Sequence, residues 1–192
     1  DKPDTLAQVA RNDLVRIDSS DRYAPIHEYV QARYDQNIRV VDDEVSRLID
    51  AVGADATVVL FSDHGEEFWD HDGFEHGHSF YDELLHVPLV IRDPHLQGGH
   101  YGFPSSLLDI TSTVLELNGL ASDTVDGRSL VGASFGNEDE ISAFNARPQG
   151  FGRPLYGADG WGVVTEGAKW FSRGGEDHAF DLGSDPTERH DI

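Results

Sequence analysis

The residues of this chain best suited to chemistry lie together, just after a short apolar run. The run at 57–61 is followed by Ser62-Asp63-His64-Gly65-Glu66-Glu67, and His71, His76 and His78 bring the count to four histidines within fifteen residues. A carboxylate beside an imidazole, followed by a glycine that lets the backbone turn, makes Asp63 and His64 a suitable ligand pair for a divalent cation. Asp-His pairs are also common on protein surfaces, so the tripeptide is weak on its own. The chain has no cysteine. Disulfides, thiolate metal sites and Cys nucleophiles are excluded, and any metal must sit among oxygen and nitrogen donors.

These residues need elements to position them. The run at 57–61 is apolar and β-branched, as a strand buried in a parallel sheet is, and 87–91 reads as a second such strand with Pro88 near its start. Ligands of open α/β sheets bind beyond the carboxyl ends of strands, so Asp63 and His64 are expected to project into that crevice. Between the two runs lies a 25-residue, largely polar stretch rich in His, Asp, Glu and Gly; connections that long inside a compact domain are usually functional. Upstream, Ile38, Val41, Val45, Leu48, Ile49 and Val52 recur at three- and four-residue spacing, which predicts an amphipathic helix within 26–52, stopped by Gly53. A second helix is predicted at about 105–117. Short β-like runs at 161–165, 168–172 and 179–182, with turns at Glu166-Gly167 and 173–177, predict an antiparallel meander. The fold class is α/β, a mostly parallel sheet flanked by helices with a small carboxyl-terminal antiparallel β-rich subdomain. The expected division is a linker or packing segment at 1–25, the α/β part at 26–132 and the β-rich subdomain at 133–192.

Charge narrows the partners. Thirty-six acidic residues stand against 14 basic ones, a formal charge of -22. Nucleic acid needs clustered Lys and Arg and is excluded as a partner. Only Lys2 and Lys169 among the basic residues are lysines. Acid excess with Arg over Lys is the pattern of proteins from salt-loving organisms, in which self-repulsion is screened once molar salt shrinks the Debye length to about 3 Å. A merely acidic mesophilic protein is the alternative. No apolar run of 18 residues exists, and Asp1-Lys2-Pro3-Asp4 is not a leader, so no membrane partner is expected and the localisation expected is cytoplasmic.

The order Asp63-His64-Gly65-Glu66, a Gly- and His-containing loop, His76-Gly77-His78-Ser79-Phe80-Tyr81-Asp82-Glu83, then Val87-Pro88-Leu89 resembles a conserved block of the sulfatases, in the alkaline-phosphatase-like hydrolase superfamily. Residues 37–45 resemble the family's helix before that block, and 180–188 its closing Tyr/Phe-Asp-Leu-x-x-Asp-Pro-x-Glu segment. The resemblance runs from about residue 26 to the end. It implies that Asp63 and His64 are the late pair of metal ligands, His64 occupying a place that is often Asn. It implies that His76, where the family often has Lys, contacts the sulfuryl oxygens and protonates the leaving alcohol; imidazole titrates near neutral pH and suits that task. The alternative for His76 is a residue that only hydrogen-bonds the loop. His78 is the further substrate-binding candidate, although it and His71 also suit a supporting or surface place. Tyr81 and Glu83 are expected to anchor the loop, and His86 to pack beside the strand. The metal implied is calcium first, with manganese as the alternative.

One departure matters. The family carries its nucleophile in an amino-terminal Cys/Ser-x-Pro-x-Arg segment, whose Cys or Ser becomes formylglycine, and an early Asp-Asp pair completes the metal site. Phe103-Pro104-Ser105-Ser106 has no following Arg, and Asp42-Asp43 falls within the predicted helix, where it reads as a solvent-facing pair. The expectation is therefore a carboxyl-terminal portion of a sulfatase acting on a small sulfate ester, with the nucleophile-bearing amino-terminal half absent and the isolated fragment inactive. A phosphodiester or phosphonate monoester hydrolase of the same superfamily is the enzymatic rival. An inert truncated or binding module is the alternative of a different class.

Overall fold

The structure is a computed structural model that describes residues 14, 17–120, 124–134, 136, 149–152, 159–165 and 167–192. The chain divides into two compact units, Asp1–Ile91 and Arg92–Ile192.

In the first unit a 3-10 turn, Asp21–Tyr23, leads into helix α1, Ala24–Val52. Pro25 lies in the first turn, where its missing N–H has no intrahelical partner to lose. Gly53 ends the helix at φ 81°, which side-chain-bearing residues avoid. The predicted extent is thus recovered, but the expected packing face is mostly open. Ile38, Val41, Leu48 and Val52 are 52%, 59%, 60% and 47% exposed, while Val45 and Ile49 are half-buried. Periodicity records that a helix has two faces, not what covers them. Asp42 and Asp43 face solvent, as expected.

After α1 come strand β1, Val58–Phe61, the short strands β2, Glu67–Phe68, and β3, Phe74–Glu75, helix α2, Asp82–Leu85, and strand β4, Leu89–Arg92. β2 and β3 form an antiparallel hairpin with Glu67 opposite Glu75 and Phe68 opposite Phe74. β1 pairs with β4 in a two-stranded sheet. The expected mostly parallel sheet is not seen among the described residues, and Leu60, Phe61 and Val90 are exposed. An apolar β-branched run shows that both faces suit burial, not how many strands flank it.

The second unit holds helix α3, Leu107–Leu117, and the turn of helix α4, Val131–Ser134. A capping box starts α3: Leu108 N donates to Ser106 Oγ at 3.3 Å and Ser106 N to the Asp109 carboxylate at 2.8 Å. Asp109 is fully buried and also accepts from Arg128 N at 2.7 Å. The meander is four strands in the order β5-β6-β7-β8, all antiparallel: β5 Gln149–Gly152, β6 Gly160–Thr165, β7 Ala168–Arg173 and β8 Glu176–Asp181. β5 was not expected. Glu166 of the first predicted turn lies outside the described residues. Phe171 and Phe180 form the buried centre of this sheet, and Lys169 Nζ pairs with Glu188 Oε1 at 2.7 Å with both side chains buried.

Candidate active site

The turn after β1 is tightly set. Ser62 Oγ donates to His64 O at 2.6 Å and Gly65 N donates to Leu84 O at 2.9 Å. A Cβ on Gly65 would lie 1.9 Å from Glu83 O, so the turn passes α2 only because residue 65 has no side chain. His64 Nδ1 is 2.8 Å from Gly65 O. A carbonyl only accepts, so Nδ1 carries the hydrogen and the neutral ring presents a lone pair at Nε2. That Nε2 is 3.7 Å from Asp63 Oδ1, with the Asp63 side chain 84% exposed. The structure thus brings the predicted pair together, and the carbonyl lock on the far ring nitrogen is how metal-binding imidazoles are commonly oriented.

His76 arrives from the loop beyond β3, between Glu75 at φ 71° and Gly77 at φ 82°. Its ring stacks on that of His64, with centroids 3.9 Å apart and planes at 22°. Nδ1 of His76 is 3.1 Å from Glu66 Oε1. A carboxylate holds that nitrogen, and Nε2 is left as the atom a substrate can meet.

His78 and His71 go elsewhere. His78 Nε2 is 2.8 Å from Glu67 Oε2, so this substrate-binding candidate has that nitrogen committed to a carboxylate. His71 Nδ1 is 2.7 Å from Glu83 Oε1 and its ring stacks on Tyr81, with centroids 3.6 Å apart. Tyr81 and Glu83 anchor the loop, as expected. His86 is a correction: it is exposed at the end of α2, where its N–H completes the helical turn by donating to Asp82 O. Glu67 is fully buried. Burial pushes its carboxyl pKa up, but hydrogen bonds from His78, Gly73 and His71 together outweigh this and hold it below the usual carboxylate value. Trp69 and Phe80 are buried beneath the same loop, Trp69 stacking on Phe74 with centroids 4.6 Å apart.

Sequence reasoning passed over Glu66 and Glu67. The signal was present in four histidines that each need a partner, beside carboxylates on a strand edge. Among the described residues no group of three or more His, Asp or Glu is placed to hold a metal ion. Asp63 and His64 are therefore two ligands and not a whole shell. Their donor chemistry, one exposed carboxylate oxygen and one oriented imidazole nitrogen, fits a divalent cation. No helix among the described residues is long and apolar enough to cross a membrane.

An Asp–His pair thus lies beyond the end of β1, with a second, carboxylate-held imidazole stacked against it. The sulfatase family model matches residues 8–120, more than half of the chain. The chain belongs to the sulfatase family, and its fold is that of the alkaline-phosphatase-like superfamily. An arylsulfatase of Clostridium perfringens (strain 13 / Type A) is 33% identical over 174 residues, 82% of this chain and 34% of that protein. The crystal structure of a phosphonate monoester hydrolase of Agrobacterium radiobacter matches with a TM-score of 0.69 at 26% identity, over 91% of this chain and 39% of that one. A structure solved in complex with its substrate D-glucosamine-2-N,6-O-disulfate matches in fold with a TM-score of 0.64 at 20% identity, over 97% of this chain and 48% of that one. The chain spans between 16% and 34% of the length of the curated relatives it matches.

Proposed function

We propose that residues 58–91 form the carboxyl-terminal part of the site of a metal-dependent sulfatase that hydrolyses small sulfate esters. The observation that carries this reading is the stacked pair His64 and His76, each with Nδ1 already held, by Gly65 O and by Glu66. Both Nε2 atoms are thereby left for a ligand or substrate. Asp63 and His64 would hold the divalent cation, calcium first for its preference for oxygen, with manganese the alternative that tolerates imidazole. When bound, such a cation offsets the negative charge of sulfuryl oxygens.

His76 acts on the leaving group. With Nδ1 resting on Glu66, its protonated Nε2 gives a proton to the ester oxygen as the S–O bond breaks, and the alcohol departs neutral. The nucleophile and the remaining ligands come from outside these residues, since the chain contains no Cys/Ser-x-Pro-x-Arg segment. His78 is assigned to holding the loop through Glu67. A charge of -22 supports a small ester as the partner over nucleic acid.

The likeness to a phosphonate monoester hydrolase supports a second reading, in which the ester is a phosphonate or phosphodiester. Sulfate and phosphonate groups are both tetrahedral oxyanions and ask for similar contacts. The test uses the protein as its gene encodes it, with 4-nitrophenyl sulfate and a phenylphosphonate ester as paired substrates and metal content measured by elemental analysis. Asp63→Asn and His64→Ala are expected to lose metal and at least about 100-fold in rate, since oriented ligands carry effects of that size. Unchanged metal content and rate in both variants would refute the assignment, and faster phosphonate turnover would select the second reading.

A further inference from the structure

Glu66 lies just before β2 and Glu67 begins it, and the two side chains go to different partners. Glu66 reaches the His76 ring, while Glu67 turns inward and is fully buried. The Glu67 carboxylate gathers the loop from both sides of His76. Ahead of it, His71 N donates at 3.0 Å and Gly73 N at 2.6 Å; behind it lie His78 Nε2 at 2.8 Å and Ser79 Oγ at 3.4 Å. Gly73 makes the room: a Cβ there would lie 2.3 Å from His78 Nε2 and 2.6 Å from Glu67 Oε2.

The loop so gathered has an improbable backbone. Trp69, Asp72 and Glu75 all take positive φ, 63°, 63° and 71°, and Gly77 follows at 82°. Residues with side chains hold that conformation only where their surroundings over-determine it. Two of these positions bracket His76, so the direction of its ring depends on the loop keeping this shape.

We infer that Glu67 is a positioning residue for His76, its buried carboxylate fixing loop 69–79 in the shape that lays the His76 ring on His64. The kinetic consequence rests on His76 being the proton donor proposed above; the positional one rests on these contacts alone. The two are separated by measuring both. In the gene-encoded protein, nuclear Overhauser contacts between the His64 and His76 ring protons report position, and kcat and KM on 4-nitrophenyl sulfate report consequence.

Glu67→Ala is expected to lose the ring contact and about 100-fold in kcat, with KM changed less than about threefold, because a displacement near 1 Å costs rate more than binding. Glu67→Gln still accepts from the two backbone N–H groups, and it is expected to keep the ring contact and recover kcat to within about tenfold of the original. Should Glu67→Ala fail to fold, His78→Ala decides, with a weakened ring contact and a kcat loss of about tenfold expected. A folded Glu67→Ala, or His78→Ala in its place, that keeps both contact and kcat overturns the inference. Loss of the contact in Glu67→Ala from a protein that never turns over the sulfate ester refutes the sulfatase reading and upholds the positioning role.

Discussion

Gly65 gives the sharpest test of how the turn after β1 is built. A Cβ added there meets Glu83 O at 1.9 Å, Glu83 C at 2.9 Å and Leu84 Cα at 3.2 Å. All three are backbone atoms of α2, so no flexible side chain can give way. A carbon and a carbonyl oxygen need well over 3 Å, and the chains must therefore part by more than 1 Å. That separation also breaks the bond from Gly65 N to Leu84 O. Overpacking of this kind costs about 1–3 kcal/mol and a lost hydrogen bond about 1 kcal/mol, so Gly65→Ala is expected to destabilise by about 2–4 kcal/mol. His64 and Asp63 move with the turn, and a shift on the order of 1 Å lowers rate by about 100-fold. Urea unfolding measures the first effect and metal binding with ester hydrolysis the second. Gly98→Ala is the control: a Cβ there meets nothing within 4 Å, and surface changes of that kind stay within about 0.5 kcal/mol. If Gly65→Ala matched Gly98→Ala in stability and kept its metal, the close approach to α2 would not be what holds the turn.

Glu67 is held below the usual carboxylate value in the fold, so its ionised form stabilises above the unfolded value of about pH 4.3, and that contribution is lost as pH falls through the folded value. Melting temperature should drop on acidification below about pH 4, and the drop should be shallower in Glu67→Gln. In the meander, Lys169→Met leaves the Glu188 carboxylate buried against an apolar side chain and is expected to cost about 3–5 kcal/mol by urea unfolding. Lys169→Met combined with Glu188→Leu should recover most of it; a double variant no better than the single would show that the pair's charges are not the cause. A charge of -22 should make melting temperature rise between about 0.1 M and several molar KCl as the Debye length shrinks. A flat response would remove the salt-loving reading.

What could be read from the sequence was what local chemistry decides. Pro25 and Gly53 bracket α1 because a missing N–H and a positive φ are properties of single residues. The capping box of Ser106 and Asp109, which starts α3 about two residues after the predicted 105, is local in the same way but was not part of that reading. Asp63 and His64 were legible as a pair because adjacency at a strand end places them together whatever surrounds them. Glu67 was not legible. In a chain with 36 acidic residues each one reads as surface, and only the return of the loop, bringing His71, Gly73, His78 and Ser79 around it, makes this one interior. His78, which the sequence left open between substrate contact and support, is placed on Glu67, a partner that only the folded loop supplies. The open face of α1 and the short β1–β4 sheet were not legible either, because an apolar pattern fixes neither what covers a face nor how many strands flank a run.

The pairing of these histidines bears on how so acidic a chain can handle an anionic ester. Surface charges farther than about 8 Å are screened at physiological salt, so the local set decides. In that set three carboxylates are each paired with an imidazole: Glu66 with His76, Glu67 with His78, Glu83 with His71. Each matched carboxylate is at least half removed from water, and each spends its charge on a ring nitrogen rather than on the approach to the turn. Asp63 differs, since its side chain is 84% exposed and its imidazole neighbour stands 3.7 Å away, beyond hydrogen-bond reach. An exposed carboxylate repels the sulfate ester of the proposed function unless a cation lies between them. The proposed metal would offset the charge that Asp63 brings to the turn, which its imidazole neighbour does not hydrogen-bond.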